Sequence, residues 1–212
     1  MIVSMWMTRD VVTIPPKTPV IDAAELMSSK RIRRLPVVEA GQIVGIVSAR
    51  DVIHAFPPEV NPFAALAATT PTTPVTVEHI MTTHPQSIAP DAPIEAAAQL
   101  MAERKIGALP VVRAGRLVGL ITESDIFRAF ASIFKSPSGS ARITFDISSG
   151  EDVFGWLSRE TRRRKLIVTS LISSQQETVP VCVVRVAGSA VDEFLEDLWN
   201  SGHRVVNVLR FD

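Results

Sequence analysis

An internal repeat constrains the fold of this chain more than any other feature of its sequence. The segment Leu35-Pro36-Val37-Val38 recurs as Leu109-Pro110-Val111-Val112, a shift of 74 residues. The shift needs no gap over residues 7–56, where roughly two positions in five are identical. The repeat predicts that residues 1–56 and 77–131 are two copies of one structural unit.

Each copy has the hydrophobic pattern of a strand, a helix, two strands and a helix. In the first copy, apolar residues from Val20 to Met27 follow the spacing of one helical face, and Thr18 before Pro19 predicts the N-cap. The predicted elements are strands at Val11–Ile14, Leu35–Glu39 and Gln42–Ser48, a turn at Ala40-Gly41, a helix after Thr18 and a second helix from Ala49 to Phe56. Two such units predict one α+β module.

A different pattern follows the second copy. The predicted linkers are residues 57–76, rich in Pro, Ala and Thr, and residues 132–141. Residues 142–212 then show the order βαββαβ, which is typical of a small ferredoxin-like domain. Its predicted elements are a strand through Ile143, Phe145 and Ile147, a helix over 151–165, strands at Leu166–Ser173 and Val179–Val186, a helix with an apolar stripe at Val191, Phe194, Leu195, Leu198 and Trp199, and a strand at Val205–Phe211.

Each copy carries the same motif at the end of its third strand. The motif consists of glycine, two apolar residues, Ser or Thr, two further residues and Asp. It runs from Gly45 to Asp51 and from Gly119 to Asp125. The motif is close to a capping box, which satisfies free N–H groups at a helix start. The same geometry predicts a ligand site, because a helix N-terminus favours anions and an aspartate can accept from both hydroxyls of a ribose. Glycine in the strand would let the ligand approach the backbone.

Residues 1–131 resemble a tandem CBS pair, also called a Bateman module. The resemblance is carried by the Met-Thr opening at Met7-Thr8 and Met81-Thr82, the Leu-Pro-Val-Val strand and the motif ending in Asp, twice and in register. It implies that AMP, ADP, ATP or another adenosyl ligand binds between the paired units, with no catalytic cofactor. It places the ribose contacts at Asp51, Asp125, Ser48 and Thr122, and the backbone that lines the base at Thr13, Ile14, Leu35, Pro36, Ser87, Ile88, Leu109 and Pro110.

With the third domain included, the chain resembles the acetoin-utilisation AcuB-like proteins, in which a CBS pair precedes an ACT-like domain. The resemblance implies an allosteric regulatory protein and not an enzyme. It also implies a homodimer that acts on a regulated protein partner.

The two copies differ where charge matters. The first copy has Arg33, Arg34 and Arg50, and the second has Gly107, Ala108 and Ser124 at the same positions. One interpretation is a solvated helix end whose cations complement the helix dipole. The other makes Arg34 and Arg50 phosphate contacts, because a guanidinium suits bidentate binding. The second interpretation predicts unequal sites.

Composition excludes several classes of protein. The 22 basic and 22 acidic residues balance, which argues against a dedicated nucleic-acid binder. The single cysteine, Cys182, excludes an intramolecular disulfide and predicts a buried thiol, and the four histidines lack the spacing of metal ligands. No apolar run reaches a bilayer span and no secretory signal is evident, so we expect a cytoplasmic protein with no membrane partner.

Two alternative functions stay open at this point. One is a structural dimerisation protein whose clefts are vestigial. The other is a DNA-associated regulator that uses Arg162-Arg163-Arg164-Lys165, although such a run at a helix end is typical of a solvated face.

Overall fold

The computed structural model describes residues 1–56, 63, 75–135, 137–176 and 179–211. The chain divides into two compact units, Met1–Ala129 and Phe130–Asp212. Most of the predicted first linker lies outside the described residues.

The first unit contains the two copies, with elements close to those predicted. The first copy has α1 (Val20–Lys30), β1 (Arg34–Glu39), β2 (Gln42–Ser48) and α2 (Ala49–His54). The second has β3 (Thr82–Thr83), α3 (Ile94–Arg104), β4 (Ala108–Arg113), β5 (Arg116–Thr122) and α4 (Glu123–Ile133). Buried apolar residues of α1 and α3 face the sheet of their own copy.

Two local predictions were wrong. The segment Val11–Ile14 is not a strand, because only Ile14 forms a bridge, with Val37. The N-cap of α1 is Pro19 and not Thr18, whose hydroxyl donates to the carbonyl of Pro15 at 2.8 Å. That bond closes the turn before the helix, and among the described residues no side chain caps the N-terminus of α1.

The hairpin of each copy confirms the predicted tight turn. Ala40 and Gly41 have φ of 49° and 80°, and their counterparts Ala114 and Gly115 have 48° and 77°. Positive φ at both central residues is the requirement of a two-residue type I′ turn, whose twist matches that of the strands. The two hairpins join at Gln42 and Arg116, which gives the sheet order β1-β2-β5-β4 with β3 on β2.

The opening segments of the two copies are exchanged. Val3 is buried in the core of the second copy, and Val77 is buried in the core of the first. The backbone of Thr8 exchanges two hydrogen bonds of 2.9 Å with Leu120, and Thr82 and Thr83 pair with β2. Neither copy therefore completes its own core.

The exchange also explains the strand glycines. A Cβ on Gly119 would lie 2.5 Å from Sδ of Met7, and a Cβ on Gly45 would collide with Sδ of Met81. The prediction that these glycines admit a ligand was wrong, because a methionine of the other copy occupies the space beside each of them.

The second unit is a ferredoxin-like domain. Its elements are β6 (Ser140–Asp146), α5 (Val153–Arg163), β7 (Ile167–Gln176), β8 (Val179–Ala187), α6 (Val191–Asn200) and β9 (Val205–Phe211). The antiparallel sheet has the order β7-β8-β6-β9, and both helices pack on one face of it.

Cys182 is buried in the core of the second unit, as predicted, and burial raises the pKa of its thiol. Trp199 is 64% exposed, so it does not belong to the buried stripe of α6.

Candidate functional site

One cleft in the first unit draws on both copies. Its volume is about 870 Å³, which lies within the usual range of ligand pockets, about 300–1,000 Å³. The lining residues form pairs whose members are 74 positions apart in the chain. Asp51 is the exception, because its counterpart does not line the cleft. The repeat therefore produces a single cleft with two related halves. The first half contains Arg33, Arg34, Ser48, Ala49, Arg50 and Asp51, and the second contains Gly107, Ala108, Thr122, Glu123 and Ser124.

The structure brings some of the predicted residues to this cleft and not others. The predicted residues in the lining are Arg34, Ser48, Arg50, Asp51 and Thr122. Those outside it are Thr13, Ile14, Leu35, Pro36, Ser87, Ile88, Leu109, Pro110 and Asp125. Leu35 and Leu109 are fully buried, and the N–H of Ile14 donates to the carbonyl of Pro36 at 3.1 Å. The predicted roles of these backbone segments stay predictions.

A capping box fixes the end of each motif. The Oδ2 atom of Asp51 accepts from the N–H and the hydroxyl of Ser48, both at 2.7 Å. The N–H of Asp51 donates in return to the Ser48 hydroxyl at 3.3 Å, so the box is reciprocal. In the second copy, Oδ2 of Asp125 accepts from the N–H of Thr122 at 2.8 Å and from its hydroxyl at 2.7 Å.

The two aspartates differ at their second carboxylate oxygen. Oδ1 of Asp125 accepts from Nη2 of Arg128, and the Asp125 side chain is 2% exposed. Asp51 is half-buried and lines the cleft. Within the described residues, no side chain forms a corresponding ion pair with Asp51. One carboxylate is thus already neutralised inside the protein, while the other faces the cleft.

Charge is also distributed unequally along the cleft. The side chains of Arg34 and Glu123 converge on Gly107, where a Cβ would lie 2.8 Å from Oε2 of Glu123. Burial lowers the pKa of the Arg34 guanidinium, Glu123 opposes that shift, and Arg33 adds to it. The guanidinium of Arg34 is therefore partly desolvated, and it meets the carboxylate of Glu123 beside Gly107 of the second half.

Sequence reasoning missed Glu123 and Arg33 as lining residues. The signal was present in the repeat, because Glu123 occupies the position of Ala49 in the first copy. His84 and Asp10, which are also counterparts, line the cleft too. Both residues follow an exchanged opening segment. The repeat alone does not show which copy such a segment packs against.

The basic run Arg162-Arg163-Arg164-Lys165 lies outside the cleft. Arg163 and Arg164 pair with Asp197, and Arg164 also pairs with Glu160, so acids of the same unit neutralise much of the basic run. No cluster of three potential metal ligands occurs among the residues that the structure describes. Across those same residues, none of the helices combines the length and the apolar character that crossing a membrane requires.

A repeated α/β unit with exchanged openings and one shared cleft defines a tandem module of two related domains. The family model for the CBS domain matches residues 3–58 and residues 77–132. The chain belongs to the CBS-domain family, and its first unit is a tandem CBS pair. The second unit is ferredoxin-like in topology, and its ACT-like character stays a prediction.

Curated relatives match the CBS portion. The CBS domain-containing protein YhcV of Bacillus subtilis is 32% identical over 139 residues, which are 64% of this chain and 88% of YhcV. An inosine-5'-monophosphate dehydrogenase of Korarchaeum cryptofilum is 36% identical over 123 residues, which are 58% of this chain. The chain spans 23% of the length of that dehydrogenase, so the likeness concerns a small part of the enzyme.

Solved structures show the same likeness. The acetoin utilization protein AcuB from Vibrio cholerae has a TM-score of 0.53 and 32% identity, over 63% of this chain and 94% of its own. CBSX2 in complex with AMP has a TM-score of 0.53 and 31% identity, over 63% and 98%. The CBS pair of protein MJ0100, with 5'-methylthioadenosine and S-adenosyl-L-methionine, has a TM-score of 0.52 and 27% identity, over 62% and 96%. Two of these three neighbours, CBSX2 and MJ0100, are thus complexes with adenosine ligands.

Proposed function

We propose that the chain is a regulatory protein that binds an adenine nucleotide in the first half of the cleft, with the ribose at Asp51. The observation that carries the proposal is the geometry of that carboxylate. Its Oδ2 atom is held by Ser48, and its side chain lines the cleft, so Oδ1 can accept from a ribose hydroxyl. The AMP complex of CBSX2 supports the choice of ligand class.

Three arginines on the same half favour a phosphorylated ligand. Arg33, Arg34 and Arg50 all line the cleft beside Ser48 and Asp51. A guanidinium binds phosphate through short, charge-assisted hydrogen bonds, so these side chains suit a phosphorylated ligand. AMP, ADP and ATP each supply that group, whereas adenosine does not.

The proposed role is regulation and not catalysis. A ligand shifts a protein between two states only by binding one of them more tightly, and a cleft built from both copies is suited to such a difference. We expect the second unit to transmit the ligand state to a regulated protein partner within a homodimer. The relatives that are enzymes match this chain over 23% of their length, which is consistent with a regulatory portion.

Calorimetric titration with AMP tests the proposal. Asp51→Ala should weaken binding by about 1.5–3 kcal/mol, the contribution of hydrogen bonds to a charged group. The matched control is Asp91→Ala, which removes an exposed aspartate of the same unit that lies outside the cleft lining. Equal affinity for Asp51→Ala and Asp91→Ala, with the fold intact by circular dichroism, would exclude the assignment.

The arginines are tested by a substitution that the repeat itself supplies. Arg50→Ser gives the first copy the residue of the second, and it should weaken ATP about tenfold, since 1.4 kcal/mol corresponds to that factor. Adenosine should bind both proteins equally. An equal loss for ATP and adenosine would show that Arg50 acts on the fold and not on phosphate.

A further inference from the structure

We infer that Arg128 closes the second half of the cleft to a ribose, so that each chain binds one nucleotide instead of two. The inference rests on the proposed function and concerns the number and position of the bound ligands. Arg128 is then a specificity-determining residue, because its ion pair with Asp125 decides whether a ribose can bind at that carboxylate.

Both carboxylate oxygens of Asp125 already have hydrogen-bond donors within the protein. Oδ2 accepts two bonds from Thr122, at 2.8 Å and 2.7 Å, and Oδ1 accepts a charge-assisted bond from Arg128. The carboxylate is 2% exposed and lies outside the cleft lining, although its neighbours Thr122 and Ser124 line it. A ribose at this position must therefore displace the guanidinium and expose the carboxylate.

The first copy lacks this ion pair. The residue in the position of Arg128 is His54, in the last turn of α2, and its side chain is exposed. Both copies place the residue three positions after the aspartate, where helical side chains are neighbours. The ion pair of Asp125 thus depends on a position at which the two copies differ, His54 in the first and Arg128 in the second.

The charged residues around the second half also disfavour a bound nucleotide there. Glu123 replaces Ala49, and Ser124 replaces Arg50, so the second half offers a phosphate a carboxylate in place of a guanidinium. A nucleotide there would lose the ribose contact and would meet the carboxylate of Glu123 beside Arg34, without counterparts of Arg33 and Arg50. Both effects predict that the second half stays empty at nucleotide concentrations that fill the first.

Calorimetric titration of the full chain with AMP, fitted for the number of sites, tests the inference. The wild-type protein should bind one AMP per chain, and Arg128→His, which installs the residue of the first copy, should bind two. Arg128→His should raise the affinity of the second site for AMP about tenfold. This factor lies between the small effect of an exposed ion pair and the large effect of a buried one. The reciprocal substitution His54→Arg should weaken the first site by a similar factor.

Two further variants assign the sites. Adding Asp125→Ala to Arg128→His should abolish the second event, and adding Asp51→Ala to Arg128→His should abolish the first. The control is Arg159→His in the second unit, because the side chains of Arg159 and Arg128 are both 68% exposed. This control should bind as the wild-type protein does.

Failure of the inference and failure of the proposed function give different results. Two equal sites in the wild-type protein, or one site in Arg128→His, would overturn the inference and leave nucleotide binding intact. A second site that survives the loss of Asp125 would also overturn it. No AMP binding by the wild-type protein would overturn the proposed function itself.

Discussion

Replacing Gly119 with alanine tests the exchange of the opening segments. Gly119 is not among the glycines with positive φ, so alanine fits its backbone without strain. The new methyl group would instead meet the other copy, with Sδ of Met7 at 2.5 Å and the carbonyl oxygen of Thr8 at 2.9 Å. That carbonyl accepts from the N–H of Leu120 at 2.9 Å, so a shift of Thr8 would stretch a backbone hydrogen bond.

The magnitude follows from two opposing effects. Inserting a methyl group into a packed contact destabilises a protein by about 1–3 kcal/mol. Replacing glycine with alanine also reduces the entropy of the unfolded chain, which stabilises by about 0.4–1 kcal/mol. We expect a net loss of about 1–2 kcal/mol in the free energy of unfolding.

A double-mutant cycle with Met7→Ala separates this contact from general damage to the strand. Met7→Ala alone should destabilise, because Met7 packs on the core of the second copy. In the double variant the methyl group introduced by Gly119→Ala occupies space that the methionine leaves, so the two losses should not add. We expect a coupling free energy of about 1 kcal/mol between the two positions.

Urea unfolding followed by tryptophan fluorescence measures each corner of the cycle, and Trp6 packs on the same core. Gly45→Ala is the matched control, because its methyl group would lie 3.2 Å from the carbonyl oxygen of Thr82 and meet a movable methionine. It should destabilise less than Gly119→Ala. Strictly additive losses for Gly119→Ala and Met7→Ala would refute the exchange.

Two other predictions concern the second unit and the assembly. A hydrogen bond from His203 lowers the pKa of the Glu151 carboxyl, so this carboxylate stabilises the fold at neutral pH, and its contribution is lost as the pH falls through the lowered value. Glu151→Gln should therefore reduce the acid sensitivity of the second unit in thermal unfolding at about pH 3–5, and an unchanged pH profile would contradict this. Light scattering should give a mass near twice 23.1 kDa for the proposed homodimer, whereas 23.1 kDa at all concentrations would contradict it.

The local parts of the fold could be predicted from the sequence because they depend on neighbouring residues. The hairpin turn at Ala40 and Gly41, the capping box from Ser48 to Asp51 and the element order of the second unit all follow from short patterns. Thr18 is an instructive exception. Its hydroxyl donates to Pro15 in the turn before the helix, and the helix begins one residue later than the pattern predicts, with Pro19 as the N-cap.

The exchange of the openings was not predictable from the repeat. A shift of 74 residues aligns Met7 with Met81 and Gly45 with Gly119, and this alignment is the same whether each methionine packs on its own copy or on the other. Only the path of the chain decides between the two. The same ambiguity hid the role of His84 and Asp10, which reach the cleft because the segments that precede them cross between the copies.

The exchange and the cleft together give the CBS pair a route by which a ligand can act on both copies. Thr8 and Thr82 line the cleft, and Met7 and Met81, directly before them, pack against the strand glycines of the opposite copy. Displacement of one opening by a bound nucleotide would therefore alter the packing of the opposite copy's core, even if that copy's half of the cleft stays empty. One ligand per chain would then be sufficient for the proposed regulation, because the halves share their walls and exchange the segments that complete their cores.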